Sequence, residues 1–423
     1  MKAQNIFKKG AFFILILSLF IGFNSYSQEN TQQNTEFKGF VRNASNNKPL
    51  AYVDILLKGT NIGTITNAEG EFSLKVPMIH LDKPLAISIL GYKKKEVNLS
   101  DLNKKINKID LEVSIIELGN INIYSPKDVM SIVRATLKNK GKHNFDDQAI
   151  MTAFYRETIK KRRKNASLSE AVVQIHKHPK RSLKSDAIEL VKARKSTNYS
   201  RLDTIALKLQ GGPFGNLHTD IIKYPDYIFS DEDLEYYDFS FSHSTQINKS
   251  QIYVIDFKQK ENVVTPLYYG KLYIDVETLA LTSATFSLNV ENKELASRMY
   301  VRKKPRKVDA YPLEATYKVN YRTQKGKWHY AYSNILLTFK VKWKGKLFNN
   351  TYTLNSEMAI TDWTLNTSKV AKIKGNMIRP STVLIDETSG FSDPKFWGEY
   401  NIIEPEKSIE SAIKKIQKQL KRT

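Results

Sequence analysis

The sequence predicts a mainly β protein: an N-terminal β-sandwich followed by a large curved antiparallel sheet or half-barrel with a few covering helices. Three observations point there. The chain carries 22 Tyr, 20 Phe and 4 Trp in 423 residues, side chains that suit a pleated, half-buried surface. Short runs alternate apolar with polar residues along most of the chain, the period of a strand with one buried face. Gly, Asn and Pro separate those runs where hairpin turns belong. Hydrophobic residues at 41% and charged residues at 26% mark a globular body. Its length exceeds one compact core, so two or three domains are expected.

Residues 1–27 read as a secretory signal peptide. Lys2, Lys8 and Lys9 precede the apolar run Ala11 to Phe23, and Ser25 and Ser27 offer the small residues that signal peptidase needs. The run is shorter than the roughly 20 residues of a membrane span. No second run of spanning length follows, so no transmembrane span is expected after signal removal. Residues 28–35 are polar and form a flexible lead-in.

The first folded module is expected over residues 36–115. FKGFVRN, AYVDILLKG, two runs around Asn67, Glu69 and Gly70, and KPLAISILGYKKKEVNL give short strands broken by turns. Gly59 and Gly70 supply turns of positive φ, and Phe72 and Leu74 alternate into a core. Asp54 and Glu69 are acids beside turns; calcium needs six or more converging oxygens, so they read as solvated or turn-capping groups. The run from Pro49 through Ala51, Val53, Gly59, Thr60, Gly63, Thr66, Gly70 and Phe72 to Gly91-Tyr92 resembles the carboxypeptidase regulatory-like domain. That family is a small transthyretin-like sandwich at the start of exported Bacteroidota proteins. The resemblance implies a fold element without peptidase machinery.

Residues 116–423 read as an α+β antiparallel-sheet domain. Ile115 to Tyr124 either closes the first module or links it onward. A helix is expected near 126–140, with Ser125 as N-cap, Pro126 as first helical residue and Val129, Ile132, Val133 and Leu137 on one face. From Ser167 onward strands dominate, with turns at Gly326 and Gly345. A second helix is expected near 406–421, where Ile409, Ile413, Ile416 and Leu420 recur at helical spacing. SPKDVMSIVRATLKNKGKHNFDDQAIMTAFYRETI, SEAVVQIH and DPKFWGEYNIIEPEKSIE are similar to the region after the regulatory module in a Bacteroidota family of undefined function. YYGKLYIDVETLALTSATFSLN resembles the strand–turn–strand repeat of periplasmic lipoprotein-carrier-like half-barrels, with Ile274 to Thr278 as the turn.

No motif for catalysis emerges. Absence of Cys excludes disulfides, thiolate metal sites and cysteine nucleophiles. No His begins an H-E-x-x-H pattern. His176 and His178 share one side of a strand, but Lys177 and Lys180 beside them repel a cation. Ser392 to Lys395 matches S-x-x-K only in form, because Pro394 denies it a helical turn. Gly211, Gly212 and Gly215 lack the G-K-[ST] ending of a phosphate cradle and read as a loop. Asp231, Glu232, Asp233 and Glu235 read as a solvated helix start. No catalytic, cofactor or metal residue is assigned, and no cofactor is expected.

The formal charge is +23, or +20 without the three leader lysines. Such a charge attracts polyanions, and export favours envelope lipids and sugars over nucleic acid. Lys160, Lys161, Arg162, Arg163 and Lys164 form the densest cationic run and are the candidate contact with an anionic surface. Tyr268, Tyr273, Phe286, Trp328, Tyr330 and Trp343 are candidates to line a ligand cavity in the curved sheet. The expectation is a non-enzymatic exported protein, periplasmic or outer-membrane-associated, that binds an apolar, lipid-like ligand or an outer-membrane component. An envelope hydrolase and a structural spacer are the alternatives; oligomeric state is not legible.

Overall fold

Alternating burial organises the first module in the computed structural model, which describes residues 33–103, 105–114, 128–138, 142–162, 164–179, 182, 184–197, 211–230, 232–247, 250–301, 306–345, 349–366, 375–384, 389–390, 396–407, 409 and 411. Seven strands build it: β1 (Asn34–Asn43), β2 (Asp54–Leu57), β3 (Gly63–Ile65), β4 (Glu71–Pro77), β5 (Leu85–Ser88), β6 (Lys95–Val97) and β7 (Asn107–Leu111). They form two sheets, ordered β4-β1-β7 and β3-β2-β5-β6. Between the sheets lie Phe37, Val41, Val53, Ile55, Leu57, Phe72, Leu74, Leu85, Ile87 and Ile109. Every second residue of a strand reaches this layer, which is the sandwich that the alternation predicts. Gly70 closes the β3–β4 turn at φ +77°, where a Cβ would sit 2.5 Å from the Val41 carbonyl. Only glycine fits that position.

The second region is one open sheet of mostly long, antiparallel strands, with two short strands at one edge, one of them parallel. Its elements are α1 (Val129–Lys138), β8 (Ala149–Lys161), β9 (Lys164–Lys177), β10 (Ala187–Thr197), α2 (Pro213–Leu217), β11 (Tyr237–Ile247), β12 (Ser250–Gln259), β13 (Tyr268–Asp275) and β14 (Leu281–Leu288). They continue as α3 (Lys293–Tyr300), β15 (Val308–Gln324), β16 (Lys327–Trp343), β17 (Asn350–Leu365), β18 (Met377–Ile378) and β19 (Ser389–Gly390). The strand order is β11-β12-β13-β14-β15-β16-β17-β8-β9-β10-β18, and β19 pairs with β10. The sheet does not close into a barrel.

That order decides what covers the sheet. The chain lays down β8 to β10, must reach the opposite edge to start β11, and then returns strand by strand until β17 pairs with β8. From β10 to β11 are nine inter-strand gaps, roughly 43 Å at the usual spacing of about 4.8 Å. Residues 211–230 and 232–236 make the described part of this crossing, and they pack with α1 on one face, here the inner face. Phe214, Leu217, Ile221, Ile222, Ile228 and Phe229 bury against Tyr155, Val173, Ile255, Leu272, Phe286 and Met358 of the sheet. The glycine-bearing stretch read as a loop therefore contains the short helix α2. Gly211 and Gly212, at φ +94° and +48°, turn the chain into it.

The outer face carries the sandwich and the segment 396–404. Ile65 of the sandwich and Trp397 and Ile403 pack on Phe154, Val172, Tyr332 and Ala359. Below them Arg156 donates to Glu170 (2.7 Å), Glu357 (3.1 Å) and the Ile403 carbonyl (2.8 Å), while Arg194 reaches the other oxygen of Glu170. Polar bonds tie sandwich to sheet, Arg322 to Asp54 and Gln324 to the Thr60 carbonyl (2.8 Å), and Thr64 ties the sandwich to the Ile402 carbonyl of the outer segment (3.0 Å). Asp54, weighed in the sequence as a calcium ligand, is the partner of Arg322.

Asp128 accepts from the Ser131 N–H (2.9 Å) and caps the described start of α1. Ser125 and Pro126, expected to open that helix, lie outside the described residues, as do the leader, most of the C-terminal helical run, Asp231 and Ser392 to Lys395.

Candidate functional site

The crossing segment is fastened to the inner face by two buried polar pins. Asn216 of α2 donates from Nδ2 to Ser333 Oγ (3.0 Å) and accepts at Oδ1 from Ser356 Oγ (2.8 Å), which fixes it over β16 and β17. Asp220 accepts from Lys177 Nζ (3.0 Å) and Tyr321 Oη (3.0 Å), and Lys177 also meets Asp186 at 3.1 Å. Burial alone would lower the Lys177 pKa, but Asp186 and Asp220 outweigh it and hold the ammonium well above its usual range. A half-satisfied network would cost more than an apolar contact. These pins set the height of the segment above the sheet.

Beside the pins the segment stands off, and an apolar groove of about 280 Å³ opens between them. Its floor follows from strand register. Gly270, Phe286, Tyr317, Ile335 and Ser356 are successive cross-strand partners on β13 to β17, and Ser356 pairs onward with Glu157 of β8. Tyr268, Leu337 and Tyr155 flank this row, Tyr300 of α3 forms a wall, and Gly212, Gly215, His218, Thr219, Tyr227 and Ile228 form the roof. Gly215 presents no side chain to Ile335, which leaves the gap open. The volume lies just below the range of about 300–1,000 Å³ for small-molecule sites.

The groove is apolar in its chemistry as well as its lining. Phe286 stacks on Tyr317 at 5.1 Å, with Tyr268 edge-on to both. Tyr300 and Tyr317 share a hydroxyl bond of 2.6 Å, and Tyr155 donates to Glu157 at 2.8 Å, so these hydroxyls are already engaged. Burial pushes Tyr268 up to about 12 and raises Tyr155, Tyr300 and Tyr317. Burial also lowers the pKa of His218, whose ring stacks on Tyr227 at 4.4 Å. At neutral pH the lining thus presents ring faces and aliphatic carbon without charge, and no carboxylate lines it.

The six aromatic residues proposed from sequence do not share one cavity. Tyr268 and Phe286 lie in the groove. Tyr273 points to the outer face and, with Trp328, lines a separate cavity against the sandwich. Tyr330 is buried beneath α2, donating to the Asn216 carbonyl at 3.3 Å. Trp343 packs at the far end of the sheet with Phe339 and Tyr352. Tyr155, His218, Tyr227, Tyr300 and Tyr317 were not singled out; they come together only through a sheet order that no local pattern encodes.

Lys160, Lys161, Arg162 and Lys164 do meet, at the tip of the β8–β9 hairpin, where Arg162 takes φ +55°. Arg163 lies outside the described residues. Two strands along, the end of β16 adds Lys340 and Lys342, and the turn after it Lys344, so this end of the sheet is cationic. His176 lies 3.3 Å from Glu189. Among the described residues no three His, Asp or Glu side chains converge as a metal site. No described helix is long and apolar enough to cross a membrane, which leaves strands unaddressed.

With the geometry in hand, comparison with known proteins places the first module. Residues 37–123 match the CarboxypepD_reg-like domain. The CarboxypepD_reg-like match covers the sandwich and stops before the large sheet. No curated protein matches the chain. Among solved structures, a DUF1329 family protein from Desulfovibrio piger is similar at 9% identity, covering 57% of this chain and 93% of its own, with TM-score 0.22. MucB in complex with MucA(peri) gives 9% identity, 57% and 100% coverage, and TM-score 0.18. Lipovitellin gives 8% identity, 55% and 27% coverage, and TM-score 0.24. Likeness at these TM-scores carries no argument about fold or ligand.

Proposed function

We propose that this chain is a non-catalytic binding protein of the cell envelope that holds an apolar, chain-like ligand in the groove beneath residues 211–230. The observation that carries the reading is the uncharged groove of about 280 Å³, floored by one register row and roofed by a pinned segment. An envelope hydrolase needs an acid and a base in reach of its substrate; the groove lining offers no carboxylate or lysine, and its one histidine, His218, is stacked on Tyr227 without an acidic partner in the lining. A spacer needs no groove at all. The leader-like residues 1–27 support export, to the periplasm or the outer membrane. The cationic hairpin tip, with Lys160, Lys161, Arg162 and Lys164, would hold the protein near anionic headgroups.

The test is titration of the mature chain with cis-parinaric acid, followed by displacement with palmitate. Saturable one-to-one fluorescence that palmitate abolishes supports the reading. Absence of saturable binding, together with a ligand-free mass for protein taken natively from the envelope fraction, rejects it.

A further inference from the structure

A second cavity, of about 170 Å³, lies between the sandwich and the outer face of the sheet. It is far larger than the roughly 10–15 Å³ that one water requires, and its chemistry is opposite to that of the groove. Three cations line it, Lys94, Lys318 and Arg322, against one carboxylate, Asp54. Asp54 is already committed: both its oxygens accept from Arg322, at Nε (3.0 Å) and Nη2. Lys94 lies 3.3 Å from Glu96, which stands outside the lining.

One cationic donor remains without an anion. Lys318 of β15 places its ammonium 4.8 Å above the Tyr52 ring, and among the described residues no carboxylate pairs with it. Arg322, 5% exposed, is held by Asp54, and its Nη1 is packed against Gly63 away from the cavity. A buried charged donor left unpaired is costly, so native structures pair such groups or bring a ligand to them. The wall facing Lys318 is itself built at a cost. Tyr52 adopts φ +62°, a conformation that bulky residues avoid, and its ring is held there by stacking on Tyr332 at 5.2 Å.

We infer that this cavity binds a small oxyanion, a carboxylate or phosphate group, at the Lys318 ammonium, with the Asn320 and Thr285 side chains lining the same wall. The bound group touches both modules, so its occupancy stabilises their docking. This site is independent of the apolar groove.

The test uses thermal unfolding and calorimetric titration of the mature chain with sodium phosphate, sulfate or acetate, at ionic strength held constant with chloride. A saturable rise in melting temperature with phosphate and sulfate identifies a phosphate-type ligand, and a rise with acetate alone identifies a carboxylate. Lys318→Met removes the ammonium while keeping the length of the side chain. In chloride it should melt no lower than the parent, and its oxyanion affinity should fall at least tenfold. Lys318→Gln serves as a second variant should the first fail to fold. No saturable response to any of the three anions, or equal responses in the parent and a folded Lys318 variant, overturns the inference.

Discussion

Gly215→Leu separates filling the groove from damaging the fold. A Cβ at position 215 would lie 3.8 Å from Ile335 Cδ1, an ordinary contact, and the residue sits inside α2. Replacing a helical glycine gains about 0.8–1 kcal/mol of propensity. Burying the leucine side chain, even partly, adds roughly 1–2 kcal/mol before about 0.5–1 kcal/mol of rotamer entropy is lost. The unliganded variant should therefore be more stable by roughly 1–2 kcal/mol. Its four side-chain carbons occupy space that a ligand would fill, and each displaced methylene is worth about 0.8 kcal/mol. Cis-parinaric acid should then bind roughly 100-fold more weakly, since about 3 kcal/mol is two factors of ten. Urea unfolding and fluorescence titration on one preparation read both quantities. A stable variant that binds within threefold of the parent would refute the placement of the ligand.

Three further outcomes follow from the same structure. Arg156→Met leaves Glu357 buried beside no cation and should cost about 3–5 kcal/mol near pH 8. Burial already raises the Glu357 pKa despite Arg156, so its carboxyl favours the folded state at low pH and that contribution fades as pH rises through its folded pKa. The variant's deficit should accordingly shrink towards pH 5, and Arg156→Met with Glu357→Gln should recover most of it in urea unfolding. Gly70→Ala, forced into positive φ and against the Val41 carbonyl, should cost at least about 1–3 kcal/mol, read as a lower melting temperature. Reversing Lys160, Lys161 and Lys164 to Glu should abolish salt-sensitive sedimentation with anionic vesicles, at about 1 kcal/mol per lysine, without altering parinaric acid binding.

Local chemistry made the strands readable. Alternation in SEAVVQIH and in YYGKLYIDVET gave β9 and β13, and Asp275 joins β13 to β14 by accepting from the Thr278 N–H and hydroxyl, as the turn motif implied. Lys325 and Gly326, both at positive φ, make the tight β15–β16 hairpin. What stayed hidden was long-range. Nothing in TAFYRETI says that Arg156 will meet Glu357, or that β8 lies beside β17. The segment 211–230 looked like a glycine loop because its purpose, reaching the opposite edge, is a property of strand order. Half of the groove was missed for that reason: Tyr155, Tyr300 and Tyr317 stand at distant positions and are aligned by register alone.

The way the sandwich sits on the sheet has a practical consequence. Ile65 of the sandwich covers the apolar patch formed by Phe154, Val172, Tyr332 and Ala359, and Arg322 depends on Asp54 for its neutralisation. Cutting the chain between the two regions would bare greasy strand centres to water and strand an arginine without its counter-charge. The two regions are thus to be expressed, purified and assayed as one body, and a severed sheet is expected to clump.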